Sequence, residues 1–179
     1  MNKKVLIWEI IGIVFIIFLG SFMHFLFELT GSWPPIGSIA AVNESTWEHL
    51  KLGYWPLMFF ALIEYKFIKE EVNNFAFAKF VGSLLIFGVI IIFFYSYTAI
   101  LGEDLLILDI ISFILSIIIA QLVSYKILTI KRLKNGVSII SLVGLVILGF
   151  LFILFTYFPP QIFLFQDPVS GGYGIIEHI

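Results

Sequence analysis

The sequence contains no cysteine, which excludes disulfide bonds, thiolate metal ligands and redox-active thiol pairs. Charged residues are scarce as well: they make up 12 % of the chain, against about 25 % in a soluble globular domain. The basic residues form no continuous patch, and we therefore expect no nucleic-acid partner. These absences exclude a disulfide-stabilised secreted domain, a thiol-dependent enzyme and an ordinary soluble protein.

Long apolar runs fill most of the 179 residues, which are 61 % hydrophobic and include 21 phenylalanines. A membrane-spanning helix needs roughly 20 apolar residues, and five stretches reach that length. The first continues to about Phe27 with no cleavage site after it, so we expect an uncleaved helix and not a signal peptide. The sequence predicts one all-α transmembrane domain of five helices, at about residues 5–29, 45–68, 75–101, 105–128 and 137–158, with a tail at 159–179.

Basic residues are segregated to one side of these helices. Nine of the ten lysines and arginines fall there: Lys3, Lys4, Lys66, Lys69, Lys79, Lys126, Lys131, Arg132 and Lys134. Because lysine-rich loops stay in the cytoplasm, we expect a cytoplasmic N-terminus and an outer tail, in the plasma membrane. A composition rich in Ile, Lys, Asn and Phe is typical of an AT-rich bacterial genome. Glu9 and Glu64, near the inner ends of their helices, are expected to pair with a nearby lysine or to reach the interface.

Small residues recur every four positions along the fourth predicted helix, at Ser112, Ser116, Ala120 and Ser124. In a bilayer such a ladder allows close helix contact. It serves either packing within the chain or a homo-oligomer interface, and both interpretations stay open. Membrane lipids are the other expected partner.

The densest polar stretch, residues 43–51, lies at the outer mouth of the second predicted helix. Glu44 and Glu48 would lie one turn apart there, with His49 about 100° round from Glu48. Ser45 and Glu48 also match a capping box, which explains those two residues without any chemistry. Capping leaves His49 and Glu44 unexplained.

A second cluster, His24 and Glu28, lies at the outer end of the first helix with a spacing that lets two ligands converge. The connection between the two helices is short and rich in Gly and Pro, so we expect the helices to be antiparallel neighbours. That arrangement would bring both clusters to one membrane depth. Further side chains are expected to join them, namely Asp109 of the fourth helix and Asp167 and His178 of the tail.

The outer acids have Lys51 as their single basic neighbour on that side, so a divalent cation would neutralise them. Imidazole with carboxylate suits zinc or manganese. Three interpretations remain: a metal site, acids that are merely solvated or capping, and protonated acids that form a proton relay. In the metal interpretation, His24, Glu28 and His49 are ligands and Glu44 and Glu48 are the catalytic carboxylates.

Two classes of function follow. One is a metal-dependent membrane enzyme, a hydrolase of lipid-type substrates in which the metal activates water and a carboxylate is the general base. The other is a non-enzymatic transport or accessory protein that uses the acids as a cation or proton site, or as a partner surface.

The run from Asn43 to Lys51 is followed by Trp55-Pro56, with His24 upstream and Asp167-Pro168 in a glycine-rich tail. In these features the chain resembles a family of small polytopic bacterial membrane proteins described only as a domain of unknown function. The resemblance implies a membrane topology and no activity. A looser similarity, in the type of site alone, links it to the zinc-dependent membrane hydrolases related to alkaline ceramidases. This chain lacks their paired His-x-x-x-His pattern and has fewer helices.

Overall fold

The computed structural model describes residues 2–175, and within them the regular structure is helical apart from one isolated bridge between Gln166 and Tyr173. The predicted all-α class is therefore confirmed. A short helix lies in the loop between the first two long helices, where the sequence indicated only a connection. The helices are α1 (Lys3–Leu29), α2 (Pro34–Gly37), α3 (Thr46–Ile68), α4 (Phe75–Leu101), α5 (Leu106–Thr129) and α6 (Asn135–Tyr157), followed by a 3-10 turn (Phe163–Phe165).

Among the described residues, four helices are long and apolar enough to cross a membrane: α1, α4, α5 and α6. This composition is consistent with a membrane protein. α3 is of similar length but falls outside this set. It carries charged side chains at Glu48, Lys51, Glu64 and Lys66, which lower its average hydrophobicity.

α3 is the central helix of the bundle. It packs against α1, α4 and α6, while α5 packs against α1 and α4 and so completes a ring of four. The core between these helices is built from aliphatic and aromatic side chains such as Leu57, Phe60, Ile86, Ile117 and Phe152. The outward faces of the peripheral helices are apolar too, so the bundle presents a hydrophobic surface suited to lipid.

Small residues let the helices approach one another closely. Ser112, Ser116, Ala120 and Ser124 of α5 are all buried within the chain. On α1, a Cβ atom added to Gly20 would lie 2.5 Å from the carbonyl oxygen of Leu52 on α3. The ladder on α5 therefore forms contacts inside a single chain, and the homo-oligomer stays a prediction.

The two ends of the bundle differ in charge. At the lysine end, where α1, α4 and α6 begin, Lys4 Nζ lies 2.7 Å from Glu71 Oε1. The opposite end, where α3 and α5 begin, is called the histidine end because it holds His24 and His49. The prediction for Lys79 was wrong. From sequence it was counted as a residue of a basic loop, but it belongs to α4 and is 1 % exposed.

The tail folds back over the histidine end as far as residue 175. Phe165 of the 3-10 turn packs against Trp47 of α3, with ring centroids 4.7 Å apart. Asn43 donates a side-chain hydrogen bond of 2.8 Å to the carbonyl oxygen of Gly174. The tail thus covers the adjacent ends of α3 and α6. His178 lies outside the described residues.

Candidate metal centre

A cluster of two histidines and one glutamate lies at the histidine end. His24 comes from α1, His49 from the first turn of α3, and Glu44 from the loop just before α3. Ser45 is the N-cap of α3 and its hydroxyl accepts a hydrogen bond from the Glu48 amide. Because the cap residue and those before it are not helical, Glu44 is directed away from the helix and toward both imidazoles.

The separations within the cluster are short enough for one ion. Glu44 Oε2 lies 3.4 Å from His49 Nε2 and 3.7 Å from His24 Nε2, and one ligand atom from each residue lies within 4.8 Å of the others. Ligand atoms around a tetrahedral zinc ion, with bonds of about 2.0–2.2 Å, are roughly 3.3–3.6 Å apart. Two separations are therefore close to those of a zinc site, and a small movement of the imidazoles would bring the third into range.

Electrostatics at the cluster favour the metal-binding form of Glu44. Its hydrogen bond with His49 is the main cause that lowers the pKa of this carboxyl below its ordinary value, and the charges of His49 and His24 act in the same direction against partial burial. At neutral pH Glu44 is therefore ionised, as a metal ligand must be. The side chains of His24 and Glu44 are 25 % and 47 % exposed, which leaves room for water on the ion.

Glu28, predicted as a ligand from its spacing to His24, is not brought into this cluster. It lies on α1 one turn closer to the helix end, and its side chain is exposed. Residues four apart differ by about 40° in direction around a helix. Glu44, and not Glu28, is the acid that lies beside the imidazoles. Because Glu44 is a loop residue, helical spacing does not identify it.

Glu48, predicted as a catalytic carboxylate, is placed elsewhere in a buried ion pair. Its Oε2 atom lies 2.5 Å from Lys51 Nζ and accepts a hydrogen bond of 3.0 Å from the Val42 amide. Lys51 also donates to the Gly37 carbonyl and the Thr156 hydroxyl, each at 2.7 Å. This network joins α3 to the α1–α3 loop and to α6, and its groups satisfy one another without an ion.

The other two acids expected near the site have hydrogen-bonded positions of their own. Asp109 accepts a hydrogen bond of 2.7 Å from the Tyr97 hydroxyl across the α4–α5 hairpin. It is nevertheless close enough to His49 and Glu44 to interact with both through space. Asp167 is 5 % exposed and accepts hydrogen bonds from the amides of Val169 and Ser170, so it stabilises a turn in the tail.

A second buried cluster, at the lysine end, contains Glu9 of α1, Glu64 of α3 and Lys79 of α4. All three side chains are at most 2 % exposed. From sequence, the two acids were expected to pair with a nearby lysine or to reach the interface. Both contact Lys79, and neither reaches the surface. The first of the two alternatives therefore describes both acids, and their lysine comes from α4.

A groove of about 980 Å³ opens between α3, α4 and α6. Its walls are apolar along the helices, and Lys69, Arg132 and Lys134 line its mouth at the lysine end. The sequence does not reveal this groove, because one wall comes from α6, which is distant in the chain from α3 and α4.

Comparison with known proteins places the chain in one family. No curated protein and no solved structure matches it. One family model matches residues 1–175, which include the histidine cluster and both buried clusters. The family resemblance expected from the sequence is thereby confirmed. The chain belongs to the family of unknown function DUF6512.

Proposed function

We propose that the protein is a multi-pass plasma-membrane protein that binds one divalent transition metal through His24, Glu44 and His49 on the outer side of the membrane. The observation that carries this proposal is the convergence of three ligand atoms within 4.8 Å. Two imidazoles and a carboxylate are borderline ligands that suit zinc or manganese. They come from two helices and a loop. Hydrogen bonds with the buried Glu48–Lys51 pair hold that loop in place beside α3.

The proposed topology has five spans, with α3 as the fifth. A charged side chain is costly inside a bilayer unless it is paired. Two acids of α3 are paired, Glu48 with Lys51 and Glu64 with Lys79, while the exposed Lys66 lies in the last turn. The lysine end faces the cytoplasm in this arrangement, as the positive-inside rule requires.

The chemistry we propose is hydrolysis of a lipid-type substrate. Catalytic metal sites hold their ion with three protein ligands and keep a further position for water, and a metal in such a site lowers the pKa of that water. Glu44 is a ligand in this arrangement, which leaves Asp109 as the nearby carboxylate for general-base chemistry. The ring of Phe25 stacks on His24 with centroids 4.9 Å apart and is 57 % exposed, so apolar substrate surface has a place to bind beside the ion.

Elemental analysis of detergent-purified protein by inductively coupled plasma mass spectrometry tests the metal site. We expect about one zinc or manganese per chain, lost in His24→Ala, His49→Ala and Glu44→Gln. Glu28→Gln is the matched control, because it removes an exposed acid of the same helix that lies outside the cluster. A parent protein without metal after zinc or manganese is added back would overturn the proposal, as would loss of metal in the Glu28 variant alone.

Hydrolysis is tested separately, by incubating the zinc-loaded protein with phospholipids, ceramides and lipid-linked phosphates and detecting products by mass spectrometry. We expect release of product by the parent and a loss of turnover in Asp109→Asn with the metal content retained. A protein that binds metal but releases no product from any of these lipids would contradict the enzyme and favour a transport or accessory role.

A further inference from the structure

The buried cluster at the lysine end has two acids for one base. Glu9, Glu64 and Lys79 come from three different helices, and each is almost completely inaccessible to solvent. If all three were ionised, the cluster would carry a net charge of −1 inside an apolar bundle. An uncompensated buried charge is strongly destabilising. The cluster is therefore expected to gain one positive charge.

Hydrogen bonding favours the ionised forms of the lysine and of one acid. Lys79 Nζ donates to Glu9 Oε1 at 3.0 Å and to Ser124 Oγ at 3.2 Å, and it lies 2.6 Å from Glu64 Oε2. An ammonium group suits these surroundings, because it carries protons and no acceptor. Glu9 Oε1 accepts a second hydrogen bond, of 2.7 Å, from the Ser124 hydroxyl. Two donors on one oxygen favour the carboxylate form of Glu9.

Glu64 is the acid without such support. Neither of its buried oxygens has a hydrogen-bond partner, and Oε2 has only the close contact with Lys79, whereas on Glu9 only Oε2 lacks a partner. A buried, ionised carboxylate normally accepts several hydrogen bonds, and a neutral carboxyl group needs fewer. Glu64 is therefore the acid of the cluster to which the missing positive charge belongs.

We propose that Glu64 is a proton-binding site, occupied at neutral pH, in the interior of the bundle. Proton binding converts its carboxylate to a neutral carboxyl group and leaves the Glu9–Lys79 pair balanced. Glu64 lies four residues before the end of α3, about 6 Å along the helix axis, so the proton exchanges with solvent at the lysine end. This site is separate from the proposed metal centre and does not rest on it.

The helices around Glu64 contribute no further charged group to the count of two acids and one base. Glu9 of α1 and Lys79 of α4 are the charged groups that act on it. α5 contributes the neutral side chains of Ser124 and Gln121 to the cluster, and the sequence of α6 from Asn135 to Tyr157 contains no Asp, Glu, Lys, Arg or His.

The ion pair at the histidine end shows the contrasting case. Glu48 and Lys51 are equally buried, but they are one acid and one base. Each Glu48 oxygen accepts at least one hydrogen bond, from the Val42 amide or the Thr156 hydroxyl. The charges of Glu48 and Lys51 therefore cancel without an added proton, whereas the charges of the Glu9–Lys79–Glu64 cluster do not.

Infrared spectroscopy of the purified full-length protein in lipid nanodiscs tests the proposal. A protonated carboxyl group has a carbonyl band that is distinct from carboxylate bands and shifts in deuterated water. We expect one such band from the cluster at neutral pH, lost in Glu64→Gln and retained in Glu28→Gln, which removes an exposed acid. A parent spectrum without a deuterium-sensitive carboxyl band at neutral pH would overturn the proposal whatever the variants do.

Four further variants test the charge count and the assignment of the proton to Glu64. Glu9→Gln leaves one acid for Lys79, so Glu64 ionises and the band disappears although Glu64 itself is intact. Lys79→Met removes the base, and the band then grows to about twice its area because both acids take a proton. Glu64→Asp shifts the frequency of the band, whereas Glu9→Asp leaves it in place; the reverse pattern would assign the proton to Glu9 and overturn the proposal.

Discussion

At the scale of single residues, Glu44 differs from the other acids of the histidine end because it lies between two imidazoles. It is partly exposed, and its Oε2 atom faces both His24 and His49. Its contribution to stability is small, because solvent screens exposed charges. Its pKa is nevertheless a direct measure of whether the cluster exists in solution.

We expect the pKa of Glu44 to rise toward its ordinary value in His49→Ala, because that substitution removes the hydrogen bond that mainly lowers it. The folded-state pKa lies below the unfolded value. Ionised Glu44 therefore stabilises the fold above the unfolded pKa, and this contribution is lost as pH falls through the lowered pKa. Carboxyl NMR of metal-free protein labelled with 13C-glutamate measures the change. An unaltered Glu44 titration in His49→Ala, or an equal change in the control Glu28→Gln, would contradict the contact.

The sequence indicated the two histidines of this site more reliably than its acid. His24 and His49 lie on helices joined by a short connection, so chain topology alone predicts that they are near each other. Which acid joins them depends on side-chain direction. Glu28 and Glu48 fit a helical spacing, but Glu44 lies outside the helix that Ser45 caps, and no periodic pattern extends to a loop residue.

At the scale of elements, the Glu48–Lys51 pair holds α3, α6 and the α1–α3 loop together. Lys51 is completely buried and donates to Gly37 and Thr156 as well as contacting Glu48. The tail covers this network through the hydrogen bond between Asn43 and Gly174. The pair is therefore a structural feature that supports the proposed metal site next to it.

Lys51→Met is expected to lower the free energy of unfolding by about 3–5 kcal/mol, because it leaves the Glu48 carboxylate buried without its partner. Adding Glu48→Gln to that variant should restore part of the loss. Unfolding in mixed micelles, followed by circular dichroism, provides the measurement. Lys4→Met is the control, since Lys4 forms a half-exposed pair with Glu71, and such pairs contribute about 0–1 kcal/mol. Equal losses in the two lysine variants would mean that Lys51 is not buried in the folded protein.

At the scale of the whole molecule, the absence of cysteine makes the topology directly measurable. Glu103 lies in the loop between α4 and α5, and Lys131 in the loop between α5 and α6; both are exposed. In intact cells, we expect Glu103→Cys to react with a membrane-impermeant maleimide. Lys131→Cys should react only after the membrane is permeabilised. The opposite labelling pattern would invert the proposed topology.

The helical class of the molecule follows from hydrophobicity, because every backbone group in a bilayer needs an internal partner. The positions of charges along the helices follow less directly. Lys79 was counted with the basic residues of the loop although the predicted helix already began at residue 75, and in the structure α4 carries Lys79 into the core. Burial of an ionisable side chain depends on partners from other helices, here Glu9 and Glu64, which a single stretch of sequence does not reveal.

The mixed composition of α3 affects how the protein is made. Ribosomes complete α3 before α4, so the nascent chain presents Glu64 at a time when Lys79 has not yet been added. α3 is the least apolar of the long helices, and we expect the translocon to retain it at the lateral gate until α4 emerges. The two segments would then partition into lipid together as a hairpin. In the proposed five-span topology, chain order thus makes insertion of α3 dependent on the helix that follows it.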